Sequence, residues 1–216
     1  QNGYELLPDF FGCWNKNTKK NILNSSNKRK NNIPIVIGNS WIPFYEKELK
    51  IIRKKKIPRT ILFCMQPPTS KNNEAIPHFI KNFLKSNYFK NYLFIFRFHP
   101  NSFIFKDEVE NFVKNHKKKS QLKIDYGEDY ILDALSNCTH HITSFSTTAL
   151  EASYLGRNSA VYGQNSRSVF QHYIKKKFIK WLDGSNKNFI KWISSNNYPG
   201  QKKISRQELF SNKINK

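Results

Sequence analysis

From Ile33 onward, short apolar runs alternate with longer segments whose apolar residues recur every three or four positions. The runs predict strands over Pro34–Gly38, Thr60–Met65, Tyr92–Phe98, Gln121–Tyr126, His140–Thr143 and Ser159–Tyr162. The segments between them predict helices over Phe44–Lys56, Glu74–Asn87, Phe105–Lys119, Asp129–Asn137 and Thr147–Leu155. The runs are apolar on both faces, as parallel strands covered by helices must be. Such alternation implies right-handed crossovers, and so an α/β fold built on a doubly wound, Rossmann-like parallel sheet.

The two ends are less regular. An apolar patch at Leu6, Leu7, Phe10, Phe11 and Trp14 precedes a polar, basic stretch from Asn15 to Asn32. That stretch has no period and is expected to be an exposed connector. Residues 1–32 therefore read as a connector or the remnant of a preceding domain, 33–200 as the Rossmann-like domain and 201–216 as a basic tail. Past Gly163 the order weakens, and short helices are expected over Gln171–Trp181 and Asn188–Ser195, carrying Trp181 and Trp192. The chain starts at Gln1 rather than Met, which reads as a fragment or a trimmed chain, and the apolar patch is expected to dock on something, such as an N-terminal half outside this chain.

Charge adds a partner class. Lys and Arg number 37 against 15 acids, a net +22. The chain is crowded with Lys, Asn and Ile, so much of this excess reads as compositional drift on solvated faces. The remainder reads as a surface for a peripheral contact with an anionic membrane or a polyanion. No run of eighteen apolar residues predicts a membrane span. Cys13, Cys64 and Cys138 are scattered, with no CxxC pair, which disfavours a zinc or redox site. Cys64 and Cys138 stand beside apolar stretches and are expected to be buried thiols, in keeping with a cytoplasmic location, on the inner face of the membrane where the chain touches it. Neither GxxxxGK[ST] nor GxGxxG occurs, which disfavours an ATPase or a nicotinamide enzyme. No histidine pair has metal-ligand spacing, so neither a metal nor a resident cofactor is expected.

Candidate chemistry lies in the residues just past each strand, because ligands of open parallel sheets bind at the strands' C-terminal ends. Gln66-Pro67-Pro68-Thr69-Ser70 comes after the second run, His99-Pro100-Asn101-Ser102 after the third and Gly127-Glu128-Asp129 after the fourth. Ser144-Phe145-Ser146-Thr147-Thr148 comes after the fifth, with Glu151 one turn into the next helix. The hydroxyls of Ser144, Ser146, Thr147 and Thr148 face the positive end of that helix, a seat for phosphate without a glycine-rich loop. The bland alternative is plain N-capping, which uses a single hydroxyl. His99 ends a very apolar strand and could donate to a phosphate oxygen as a nucleotide leaves; alone it would read as a structural histidine. Arg97 could point into the same crevice or form a structural ion pair. Glu151 could accept from ribose hydroxyls, and Gly127, Glu128 and Asp129 could meet a base; their bland readings are an exposed helix residue, and a turn with an N-cap. His140 and His141 begin a buried strand, whereas His78, His116 and His172 read as surface residues.

Phe98-His99-Pro100, together with Thr143-Ser144-Phe145-Ser146-Thr147-Thr148 and Glu151-Ala152, resembles the HP and Ser-rich motifs of bacterial GT-B sialyltransferases. Similar motifs occur in capsule polymer transferases, including Kdo-transferring and CDP-glycerol-type enzymes. The pattern with Gly156 closing the helix is also seen in UDP-sugar transferases and UDP-sugar 2-epimerases. The resemblance runs from about Ile33 to Gly163. It implies the donor-binding half of a two-domain glycosyltransferase with a nucleotide-sugar donor, CMP-linked by preference, and a surface glycan or lipid-linked acceptor. In it His99 would contact the donor phosphate, Ser144, Ser146 and Thr147 would hold that phosphate, and Glu151 would touch the ribose. The sialyltransferases carry an acidic motif in the other half for the general base, and Glu128-Asp129 is no copy of it, so the base is expected outside this chain. Two other readings stay open: a CDP-polyol phosphotransferase or UDP-sugar 2-epimerase using the same crevice, and a non-enzymatic basic module for nucleic acid or anionic membrane. Nucleic acid is the less favoured partner, because a stacking module needs a broad basic face with interleaved aromatics.

Overall fold

A computed structural model describes residues 10–25, 33–38, 58–67, 74–195 and 202–205. The backbone forms two compact units, residues 1–51 with 204–216 and residues 52–203. In the first, strand β1 (Phe10–Cys13) pairs in parallel with β2 (Ile33–Val36), and helix α1 (Lys16–Ser25) lies between them in the chain. The expected connector thus contains a helix. Asn15 sets its start: its Oδ1 accepts the Thr18 N–H at 2.8 Å and the Thr18 hydroxyl at 3.1 Å, an N-cap. The helix reads KNTKKNILNS, too polar for a hydrophobic period to reveal it. The run expected at Pro34–Gly38 is a strand, but its partner is β1 rather than a strand of the large sheet.

The second unit runs β3 (Thr60–Cys64), α2 (His78–Lys85), β4 (Leu93–Arg97), α3 (Lys106–Asn115), β5 (Leu122–Asp125), α4 (Ile131–Ser136), β6 (His140–Thr143), α5 (Thr148–Tyr154), β7 (Asn158–Tyr162), α6 (Gln164–Val169), α7 (Gln171–Lys175), β8 (Lys180–Leu182) and α8 (Asn186–Ser194). The six strands are all parallel, in the order β5-β4-β3-β6-β7-β8. Winding proceeds from β3 outward to β5, then from β6 outward to β8. With right-handed crossovers this puts α2 and α3 on one face and α5 on the other. The reversal between β3 and β6 is a topological switch point, where the helices diverge and leave a crevice.

The sheet is held by aromatic packing. Phe63, Phe94 and Phe96 meet Phe79, Phe83, Phe189 and Trp192 in one buried cluster. Rings meet edge to face, as between Phe83 and Phe189 at 5.1 Å and 80°. Each such burial stabilises by about 1.5–3 kcal/mol. Helix α2 contributes Phe79, Ile80, Phe83 and Leu84 from one stripe. Cys64 and Cys138 are buried free thiols, and so is Cys13. Burial pushes the Cys138 thiol up to about 12 and raises Cys64 as well.

Past Gly163 the chain is more ordered than its pattern suggests. The helix expected over Gln171–Trp181 stops at Lys175, and Trp181 sits on β8, the edge strand. Lys177 adopts φ 61°, with Phe178 N–H bonded to Tyr173 O and Lys177 N–H to Ile174 O. This is a Schellman stop with lysine where glycine is usual, so no residue type announces it. The helix expected over Phe44–Lys56 lies outside the described residues, as do Pro68, Thr69 and Ser70.

Candidate functional site

The crevice is built from the segments that leave β3, β4, β5 and β6. Strand β4 delivers His99 to the cap of a short 3-10 turn, Pro100–Phe105. Pro100 stands first in the turn, where a missing N–H costs nothing. The Asn101 N–H donates to His99 Nδ1 at 3.1 Å. The buried Ser102 hydroxyl accepts from the His99 N–H and donates to the His99 carbonyl, both at 2.8 Å. The ring proton is therefore on Nε2.

Arg97 meets both of its expectations: it lines the crevice and forms an ion pair. Its buried guanidinium pairs with Asp125 and donates to the Asp129 carbonyl. The other Asp125 oxygen accepts the Gly127 N–H at 2.8 Å. One carboxylate and one guanidinium thus fix the loop after β5. Gly127 has φ 82°, and a Cβ there would lie 3.1 Å from the Phe98 carbonyl oxygen, so a side chain is strained on two grounds.

After β6 the hydroxyls divide into different roles. Thr148 Oγ1 and His141 Nε2 lie 3.1 Å apart, and His141 Nδ1 lies 3.3 Å from Ser159 Oγ, which donates to the Ala149 carbonyl at 2.8 Å. Because Ser159 gives its proton to Ala149, His141 donates from Nδ1, and Nε2 accepts from Thr148. His141 is fully buried, and burial pushes its pKa down to about 3, so the ring is neutral. Ser146 serves the start of α5: its Oγ accepts the Thr148 N–H at 3.3 Å and its carbonyl the Ala149 N–H at 3.2 Å. Leu150 N–H is taken by the Thr147 carbonyl at 2.8 Å. The first turn of α5 is thus largely closed by its own loop.

Two cavities open on this edge of the sheet. The first, about 250 Å³, is lined by Gln66, Arg97, His99, Gly127, Ser146, Thr148 and Glu151, with Cys64, Met65, Phe98, Pro100 and Ile131. The second, about 320 Å³, is lined by Phe63, Gln66, Pro67, Glu74, Ser144, Tyr162, Gly163, Gln164 and Asn165, with Ala75 and Phe145. Gln66 borders both. Glu151 is partly buried, its carboxyl has no hydrogen-bonding or ionic partner among the described residues, and burial raises that carboxyl's pKa.

Six expected residues therefore gather in one cavity: Gln66, His99, Gly127, Ser146, Thr148 and Glu151. Ser144 lies in the neighbouring one. Thr147, Glu128 and Asp129 line neither and are exposed, and Asp129 serves through its carbonyl. Glu74, Tyr162, Gly163, Gln164 and Asn165 were not expected. Gly163-Gln164-Asn165 comes after β7 as His99 comes after β4, so reading one strand further would have found it. Among the described residues no three His, Cys, Asp or Glu side chains come together as a metal would need.

The strand order and the switch point define a fold that solved structures share. The six-stranded unit has the fold of a Rossmann-like half of a GT-B enzyme. UDP-GlcNAc 2-epimerase from Neisseria meningitidis, solved with UDP-GlcNAc, is similar over 93% of this chain and 57% of its own, with TM-score 0.62 and 15% identity. The wall teichoic acid polymerase TagF is similar over 89% of this chain and 50% of its own, with TM-score 0.54 and 13% identity. A His-to-Ala variant of that polymerase gives TM-score 0.54 and 12% identity, over 93% of this chain and 52% of its own. The chain thus spans about half the length of the solved proteins it matches. No protein-family profile and no curated protein sequence matches it. Among the described residues no helix is long and apolar enough to cross a membrane.

Proposed function

We propose that this crevice binds a nucleotide-activated sugar, and that the chain is the donor-binding half of a glycosyltransferase acting on a surface glycan or lipid-linked acceptor. One observation carries the reading: two adjoining cavities of opposite character share Gln66. The first offers the Arg97 guanidinium, the His99 donor and the Ser146 and Thr148 hydroxyls, with the Glu151 carboxyl beside them. The second has no Lys or Arg among its described lining residues, in a chain of net charge +22. The first suits a phosphate and ribose, and the second an uncharged polyhydroxyl group reached by amides and hydroxyls.

In this reading the acceptor oxygen attacks the anomeric carbon while its bond to the phosphate oxygen breaks. The bonding pair leaves with the nucleotide, and charge grows on the phosphate. His99 Nε2–H and the Ser146 hydroxyl donate to those oxygens, which favours the transition state over the bound donor. The acceptor proton goes to a base that the proposal places in the half outside this chain.

For the donor itself, the Phe98-His99-Pro100 and Ser144–Thr148 motifs support a cytidine nucleotide carrying sialic acid or a related sugar. A second reading has its own support. Among its described lining residues the second cavity has no cation for a sugar carboxylate and holds Glu74 instead, which favours a neutral sugar on a uridine nucleotide. Thermal-shift titration with CMP, CDP and UDP separates the two. A saturable shift largest with the cytidine nucleotides supports the first, and one confined to UDP supports the second. No shift with any of them rejects nucleotide binding by this chain.

A further inference from the structure

A cavity larger than either of these lies away from the crevice, between α2 and α3, and measures about 720 Å³. That is within the roughly 300–1,000 Å³ of typical small-molecule sites. The partly buried Phe112 forms its floor, with the fully buried Leu84 beneath, and Lys81, Lys85, Lys117 and Lys118 stand around it. The charges are not spread evenly. Lys81 is neutralised at one end by Glu108, at 3.6 Å. At the other end, α2 finishes on Lys85, and Lys117 and Lys118 stand just past the end of α3. Lys118 is partly committed, with Nζ donating to the Ser86 carbonyl at 3.1 Å. Lys85 and Lys117 are exposed and have no partner among the described residues. Positive charge does converge there: His116, which lines the same groove beside Phe112, has its pKa lowered by burial first and then by Lys118 and Lys85.

A groove that is cationic at one end, apolar along its floor and neutral at the other matches an amphiphile with one anionic head. An acidic helix would want cations along the whole groove. We infer that the α2–α3 groove docks an anionic phospholipid of a membrane surface, its phosphate at Lys85 and Lys117 and one acyl chain along Phe112 and the aliphatic stems of the lysines. The inference does not depend on the nucleotide reading. It gives part of the chain's excess charge a definite place, where lysines near an anionic surface act additively.

The test uses the full chain with short-chain dihexanoyl phosphatidylglycerol below its micelle concentration, followed by calorimetry, and with phosphatidylcholine vesicles with and without phosphatidylglycerol, followed by co-sedimentation. The expected result is saturable binding of the short-chain lipid and sedimentation only with the anionic vesicles. Lys85→Gln with Lys117→Gln should weaken both by roughly an order of magnitude. Lys123→Gln with Lys175→Gln removes equal charge from exposed positions elsewhere and should leave the short-chain lipid's affinity unchanged. Asn115→Asp, which puts an anion into the groove without emptying the core, should weaken binding as the first pair does. Equal losses from both lysine pairs would make the effect general surface charge and overturn the assignment. So would binding of inorganic phosphate as tight as that of the lipid, or binding of an acidic amphipathic peptide where the lipid fails.

Discussion

The Asn101 N–H donates to His99 Nδ1 at 3.1 Å, and that one bond decides which imidazole nitrogen can give a proton. With Nδ1 occupied as an acceptor, Nε2 is the donor. His99→Ala should weaken nucleotide binding by about 10- to 100-fold, the range for a lost hydrogen bond to a charged group. It should also lower stability by about 0.5–2 kcal/mol through loss of the cap. His99→Asn can keep the cap but lacks the ring nitrogen's reach, so it should hold stability and still lose affinity. Calorimetry beside thermal melts separates the two effects, and an unfolded His99→Asn would show that the ring is structural.

The hydroxyls of Ser146 and Thr148 border the same cavity but should respond differently. Thr148 gives its proton to buried His141. Thr148→Val leaves His141 Nε2 unpaired, at about 1–3 kcal/mol, or roughly 2–4 °C in Tm for each kcal/mol. Ser146→Ala should cost nucleotide affinity about tenfold with a smaller change in Tm, since its bond to the Thr148 N–H is long at 3.3 Å. Equal effects of the two variants on both measurements would contradict this division.

Glu151 faces the first cavity with its carboxyl raised by burial. A raised folded-state pKa means that the folded form holds its proton more tightly than the unfolded chain does. Stability from this group is present below the ordinary glutamate pKa and lost as pH rises through the folded value. Glu151→Gln should therefore raise Tm at neutral pH, and the gain should vanish in acid. The same variant should bind nucleotide less well if the carboxylate accepts from ribose. A gain that persists at low pH would assign the effect to something other than ionisation.

His140 and His141 work in the opposite sense. Burial lowers their pKa values to about 4 and about 3. The unfolded chain takes up protons near pH 6.5 while the folded chain refuses them. Stability is thus present above that pH and falls as the solution is acidified, by about 1.4 kcal/mol per pH unit for each ring. Urea midpoints measured from pH 7 to pH 4.5 should fall with acid, with His116, also lowered by burial, adding to the slope. His141→Gln should remove its own share of that slope, and an unchanged slope would show that this ring does not contribute to the acid response.

The sheet was legible because its inner strands are largely buried on both faces, as β3 is throughout, and so carry short stretches rich in apolar residues. Five of the six strands of the large sheet stand where those runs predict them, within a residue or two. β8 was missed because Lys180-Trp181-Leu182 is short, partly exposed at the edge, and comes after a helix stop made by a lysine. α1 was missed because its start lies in one asparagine and its body has almost no apolar face. The crevice emerged from reading strand ends, which brought six named residues into one cavity. The division of labour among the hydroxyls could not be read that way. It depends on His141 and Ser159, 18 residues apart in the chain, meeting across two adjacent strands.

Because the winding reverses between β3 and β6, the crevice exists before any side chain is chosen to fill it. Its walls are the departing ends of strands whose packing is settled below, by Phe63, Phe94 and Phe96. Recognition and folding are therefore encoded in largely separate stretches of the chain, the few residues beyond each strand and the strands themselves, with Arg97 at the end of β4 serving both. Side chains in loops such as 144–147 can change while the loop's carbonyls still close the first turn of α5, as one changes the bit of a drill and the chuck keeps its grip.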